Sequence, residues 1–271
     1  MKLFYEGILL MYAFSLIGYF IDFIQHNRKA KQFAFWFLCM VWIMQTVFLC
    51  KQMIVHQAFP IGTLTDSLFI YSWILIAFSL IINRLFRIHF IVLFTNIFGF
   101  LILLLYTVTA AREQMNTSVV NFVNEILVAH IAAAIISYGF FTLAFIFSVM
   151  YMLQYRLLKG KKGWRWLKRF GNLAQLDQLS FQAITIGVPM LLIGLLLGLA
   201  WAYDSGAVFY WFDLKTIGSI FVLFVYVFYL ILRLVSGYYG KSLVIFNIAA
   251  FLILLVNFFL FSVLSNFHFS V

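Results

Sequence analysis

Charge is scarce in this chain. Only 10% of its 271 residues are Asp, Glu, Lys or Arg, 66% are hydrophobic, and the mean hydropathy is +1.07. Such a chain cannot cover itself with a water-compatible surface, which excludes a soluble globular domain and makes the bilayer its solvent. Cysteine is limited to Cys39 and Cys50. They fall in one expected helix, separated by about 16 Å of rise, too far to bond to each other. Neither belongs to a CxxC pattern, so thiol redox chemistry has no support and a packing role is favoured. No GxSxG, Walker A, HExxH or paired-carboxylate arrangement occurs, which leaves a soluble-enzyme reading without a motif. The expected spans carry almost no ionisable side chains in their central stretches, and ion-coupled transport is disfavoured for that reason.

What is present is a series of long apolar runs. Eight segments, at approximately 7–25, 33–51, 66–83, 88–109, 125–155, 180–203, 214–235 and 242–265, meet or approach the roughly 20 residues that a membrane helix needs. The chain is therefore expected to be an all-α, polytopic bundle of eight transmembrane helices, one membrane domain over 1–271 without internal repeats. The first run lacks a small-residue cleavage site and is kept as a span rather than a signal peptide. The fifth is long enough to tilt or to project beyond one surface. Gly194 and Gly198 form a small-xxx-small step in span six, and Pro189 with Gly187 is expected to bend its first half.

The formal charge of +10 is topological rather than a sign of nucleic-acid binding. Of the 18 Lys and Arg residues, all but Lys2, Lys51, Arg112 and Lys215 fall in the connections after spans one, three, five and seven, which marks those connections as cytoplasmic. Both termini are then outside. The richest connection, after span five, runs Arg156-Leu-Leu-Lys-Gly-Lys-Lys-Gly-Trp-Arg-Trp-Leu-Lys-Arg. Its charges and tryptophans suit either the anionic inner lipid surface or an acidic cytosolic partner.

Topology sorts the five histidines. His26 and His89 lie near the cytoplasmic side, whereas His56, His130 and His268 lie on or near the outer side. His130 shares a helical face with Ala134, Ser137 and Phe141, and the small groups on that face leave space for a ligand beside the imidazole. Taken singly, His130 is better explained by a hydrogen bond to a neighbouring helix, and His268 by an exposed tail. Between spans six and seven the outer connection carries Trp201, Tyr203, Phe209, Tyr210, Trp211, Phe212 and Asp213. An interfacial aromatic belt explains part of this enrichment. A flat porphyrin held by two imidazoles explains it together with the histidines, because neutral imidazole is a usual axial ligand of haem iron.

Several stretches carry a family likeness. They are Phe59-Pro-Ile-Gly-Thr-Leu-Thr-Asp-Ser-Leu68, His130 through Ser137-Tyr138, Leu176-Asp177-Gln178-Leu179-Ser180-Phe181, Ile186-Gly187-Val188-Pro189, Gly198-Leu199-Ala200-Trp201-Ala202 and Asn266-Phe267-His268. Over most of its length the chain resembles the cytochrome c assembly membrane-protein family, the haem-handling CcsA/ResC group, and more closely its HemX-type branch. The family's tryptophan-rich loop, WGxxWxWD followed by PKE, is reduced here to Tyr210, Trp211, Phe212, Asp213 and Lys215. Where cytochrome c synthases carry a membrane His before an Arg, this chain has Ile231 before Arg233.

The resemblance implies haem b as the cofactor, His130 and His268 as its axial pair, and Trp201, Tyr210, Trp211, Phe212 and Asp213 as the loop against the ring. It implies a non-enzymatic regulator of haem biosynthesis in the cell membrane, lowering glutamyl-tRNA reductase abundance, with the 156–178 connection as a contact surface. The alternatives are haem delivery or attachment in cytochrome c assembly, and haem export. The degenerate tryptophan motif weighs against attachment.

Overall fold

A computed structural model describes residues 2–25, 27–56, 64–85, 89–113, 125–160, 172–204 and 213–261. They form eight α-helices: α1 (Lys2–Gln25), α2 (Arg28–His56), α3 (Leu64–Leu85), α4 (His89–Glu113), α5 (Glu125–Lys159), α6 (Leu173–Asp204), α7 (Leu214–Leu234) and α8 (Lys241–Val256). A single π-helical turn, Asn257–Phe261, continues α8. All eight are long and apolar enough to cross a membrane, and the described residues contain no strand. The eight-span bundle expected from hydropathy is what the chain forms.

Helix starts follow local capping chemistry. The Asn27 Oδ1 accepts from the Lys29 amide at 3.0 Å, and the Asn172 Oδ1 accepts from the Ala174 amide at 3.1 Å. Each satisfies a donor that the first turn would otherwise leave without an intrahelical partner. The turn between α7 and α8 needs backbone that L side chains rarely adopt, and glycine supplies it at Gly237 (φ 67°) and Gly240 (φ 74°). Helix α6 runs through Pro189 without interruption, and it begins seven residues before the expected span at 180.

The helices gather into two compact units, residues 1–123 and 124–271. In the first, α1 packs on α2 and α4, and α3 packs on α2 and α4. Gly18 lets α2 close in, since a Cβ there would stand 2.9 Å from that of Ala34. A fully buried polar chain crosses this unit: Tyr12 Oη donates to Asn96 Oδ1 at 3.2 Å, and Asn96 Nδ2 donates to Ser79 Oγ at 2.7 Å. Without water in the bilayer core, such groups must satisfy one another.

In the second unit the long helices α5 and α6 form the central pair, α8 packs on α5, and α7 packs on α6 and α8. Phe141 of α5, fully buried, stacks on Tyr226 of α7 with ring centroids 3.8 Å apart. Gly187 makes room for it, because a Cβ would approach the Phe141 ring to 2.8 Å. Towards the end where α6 begins, Asn247 Nδ2 donates to Ser148 Oγ at 2.9 Å and to Ser180 Oγ at 3.2 Å, tying three helices together. Intramembrane hydrogen bonds average about 0.6 and reach about 1.7 kcal/mol. Asn247→Leu is accordingly expected to destabilise the unit by about 1 kcal/mol, read as a lower midpoint in a detergent-denaturation titration. An unchanged midpoint would show that the network contributes nothing.

Candidate functional site

Helix α5 starts at Glu125, so His130 lies one and a half turns into it. Because neighbouring helices of the second unit run antiparallel, this end of α5 meets the end of α6 and the start of α7. The His130 Nδ1 stands 2.6 Å from the Gly194 carbonyl oxygen of α6. The ring also lies against Gly198, where a Cβ would come within 2.7 Å of both Cε1 and Nδ1 and 3.3 Å of Nε2. At Gly194 a Cβ would instead meet the α5 backbone, 3.2 Å from Ala134 N. The glycine step thus does two things: one glycine admits the helix and the next admits the imidazole.

Gly194, Gly198 and Trp201 recur at i, i+4 and i+7 and form one stripe of α6. Trp201 is half-buried, one turn beyond the imidazole seat. Across the connection, Asp213 is the N-cap of α7: its Oδ2 accepts from the Lys215 amide at 3.1 Å. The Lys215 side chain lies within electrostatic reach of both Asp213 and His130. His130, Trp201, Asp213 and Lys215 therefore gather at one end of the unit. Tyr210, Trp211, Phe212 and His268 lie outside the described residues, as does the 161–171 part of the basic connection.

Beneath the histidine the bundle is closed by hydrogen bonds and rings. Ser137 Oγ donates to the Gly187 carbonyl at 2.9 Å, Asn257 Nδ2 donates to Ser219 Oγ at 3.0 Å, and Tyr138 meets Phe258 edge-on at 5.6 Å. The His130 end of the unit is bounded on that side by packed protein.

The opposite end of the unit holds a feature that hydropathy missed. Arg233, grouped in the sequence with the cytoplasmic loop charges, is buried at 4% exposure. Its Nη1 stands 2.8 Å from Asp177 Oδ2, and its guanidinium lies over the Phe181 ring at 4.5 Å and the Tyr239 ring at 5.0 Å. Asp177 belongs to the early turns of α6, which the apolar run did not reveal. Ile231 is 47% exposed, so a side chain there is not enclosed by this four-helix unit.

The donor set limits the chemistry. Among the described residues no three His, Cys, Asp or Glu side chains converge as a metal site. One imidazole with its Nδ1 hydrogen-bonded to a carbonyl suits a metal that brings most of its own ligands. Haem fits that description, and a hydrogen bond from the far ring nitrogen is the usual support of a ligating histidine.

Comparison with known proteins identifies the family. A family model described as cytochrome C assembly protein matches residues 61–268. Protein HemX of Bacillus subtilis (strain 168) is 47% identical over 263 residues, which are 97% of this chain and 95% of that protein. Protein HemX of Brevibacillus brevis is 37% identical over 264 residues, 97% and 96% of the two chains. The cytochrome c biogenesis protein CcsA of Chlamydomonas reinhardtii is 28% identical over 205 residues, 72% of this chain and 56% of that protein. No solved structure gives a significant match.

Proposed function

The chain belongs to the cytochrome c assembly protein family, and from that premise we propose that it binds haem b between His130 and His268 and thereby regulates haem biosynthesis. It is a haem-related, multi-pass protein of the cell membrane. The observation that carries the ligand assignment is the His130 imidazole, supported at Nδ1 by the Gly194 carbonyl. Trp201, Tyr210, Trp211 and Phe212 would flank the ring, and Asp213 would hold the start of α7 in place. Bound haem would supply an iron centre that accepts neutral imidazole, the ligand that His130 and His268 would offer. We read residues 1–271 as one haem-handling domain, with both termini and the His130 end on the outer side.

The regulatory output proposed is a lower abundance of glutamyl-tRNA reductase, through the 156–178 connection at the inner end of α5 and α6 or through another cytosolic protein that this basic segment contacts. Near-full-length identity with the HemX proteins supports this reading over haem attachment. A haem signal requires that two arrangements of the helices bind haem unequally, since a ligand shifts an equilibrium only by its differential affinity. Deleting the gene is expected to raise glutamyl-tRNA reductase protein several-fold without an equal rise in its transcript, measured by immunoblot beside transcript quantification. An unchanged reductase level would remove the regulatory reading.

The CcsA match favours one second reading, haem delivery to or attachment on an apocytochrome. Coexpression with an apocytochrome c decides it: covalent haem on the cytochrome would put assembly first.

A further inference from the structure

Building on His130 as an iron ligand, we propose that Gly194 and Gly198 are its positioning residues. One supplies the carbonyl that fixes which imidazole nitrogen carries the proton, and the other supplies the bare backbone on which the ring is seated.

A carbonyl oxygen can only accept. At 2.6 Å from it, His130 Nδ1 must therefore carry the hydrogen. A neutral imidazole holds one proton, so the lone pair that can ligate a metal is then on Nε2. Donation from Nδ1 to a carbonyl also raises the basicity of Nε2, which strengthens it as a donor to iron. A backbone carbonyl within α6 performs this task without any side chain, and no motif search for polar residues would register it.

Gly198 keeps that bond in place. A methyl there would overlap Cε1 and Nδ1 at 2.7 Å, closer than packed atoms allow. The ring is the movable partner, since it is the tip of a side chain while Gly198 sits within a continuous helix. Gly198→Ala should push the imidazole off the Gly194 carbonyl without separating the helices. Gly194→Ala behaves differently. Its Cβ would press on Ala134 N at 3.2 Å, a backbone contact, so the cost falls on helix packing.

The test uses the full chain in detergent, labelled with 15N-histidine and free of haem, so that it does not depend on the ligand. In the wild type, the His130 signals, assigned by their loss in His130→Gln, should show Nδ1 protonated and Nε2 unprotonated. In Gly198→Ala that pattern should give way to a mixture of tautomers, with the helical circular dichroism and the denaturation midpoint unchanged. Gly194→Ala should lower the midpoint and keep the tautomer. In haem-loaded protein Gly198→Ala should retain haem at least about tenfold less tightly, the range for losing an outer-shell partner. A wild-type His130 protonated on Nε2 overturns the proposal by itself, even should a variant fail to insert. So does an unaltered Nδ1–H pattern in Gly198→Ala. Wild-type protein that shows the expected tautomer yet takes up no haem overturns the ligand reading and leaves the glycine seat standing.

Discussion

His130→Ala protein, purified in detergent from haem-replete cells, is expected to lose the six-coordinate low-spin absorption spectrum of the wild type, and His268→Ala protein is expected to lose it as well. Two imidazoles on one iron give a strong, symmetric axial field. On that proposal, removal of either would leave the iron one protein ligand short, with a high-spin spectrum and weaker retention. The affinity loss should exceed the about 10- to 100-fold that follows removal of an outer-shell partner, because the proposed pair would bond the metal directly. His130 is half-buried against α6, with Gly194 and Gly198 beside it. The methyl group of alanine leaves a gap at that seat rather than a clash, so the helices should still pack. Both variants keeping the wild-type spectrum would defeat the axial pair, and His56 would be the next histidine to replace.

The number of spans was legible because the bilayer makes a simple demand on length and apolarity. Each of the eight apolar runs became a helix, with differences only at the ends. One of these differences, the early start of α6, has a clear cause. The stretch Leu173-Ala-Gln-Leu-Asp-Gln-Leu179 mixes apolar and polar residues, so its mean hydropathy is low. Yet Leu176 and Asp177 are buried, one by apolar packing and the other beside Arg233. Hydropathy treats a charge as a mark of water and is blind to a partner on another helix.

The candidate site was legible in part for a similar reason. An imidazole near a membrane interface, a ring-rich connection and a capping aspartate are side-chain signals, and His130, Trp201 and Asp213 do come to one end of the second unit. The hydrogen bond that orders the imidazole comes from a main-chain carbonyl, which leaves no trace in residue type. Gly194 and Gly198 did leave one, their spacing of four, but that spacing reads first as helix packing. In the fold a Cβ at Gly194 would meet the α5 backbone, while one at Gly198 would meet the His130 ring.

The second large effect is expected at the other end of that unit. Arg233→Leu should destabilise the protein by about 3–5 kcal/mol, the cost of leaving one member of a buried ion pair without the other. The side chains of Arg233 and Asp177 are 5% and 11% exposed and their charged atoms stand 2.8 Å apart. Removing the guanidinium strands a carboxylate among α6, α7 and the rings of Phe181 and Tyr239. Asp177→Leu alone should be similarly costly, because it strands the cation. The double variant, Asp177→Leu with Arg233→Leu, should recover most of the loss, since an apolar pair of similar volume often replaces a buried ion pair at little cost. A detergent-denaturation titration of the four proteins gives the coupling energy directly. A single-variant loss below about 1 kcal/mol would mean that the pair behaves as a solvated surface bridge. Recovery in the double variant would establish that Arg233 serves as a clamp between α6 and α7 rather than as a topological charge. The same result would explain why α6 extends beyond its apolar run: its first two turns exist to bring Asp177 to Arg233.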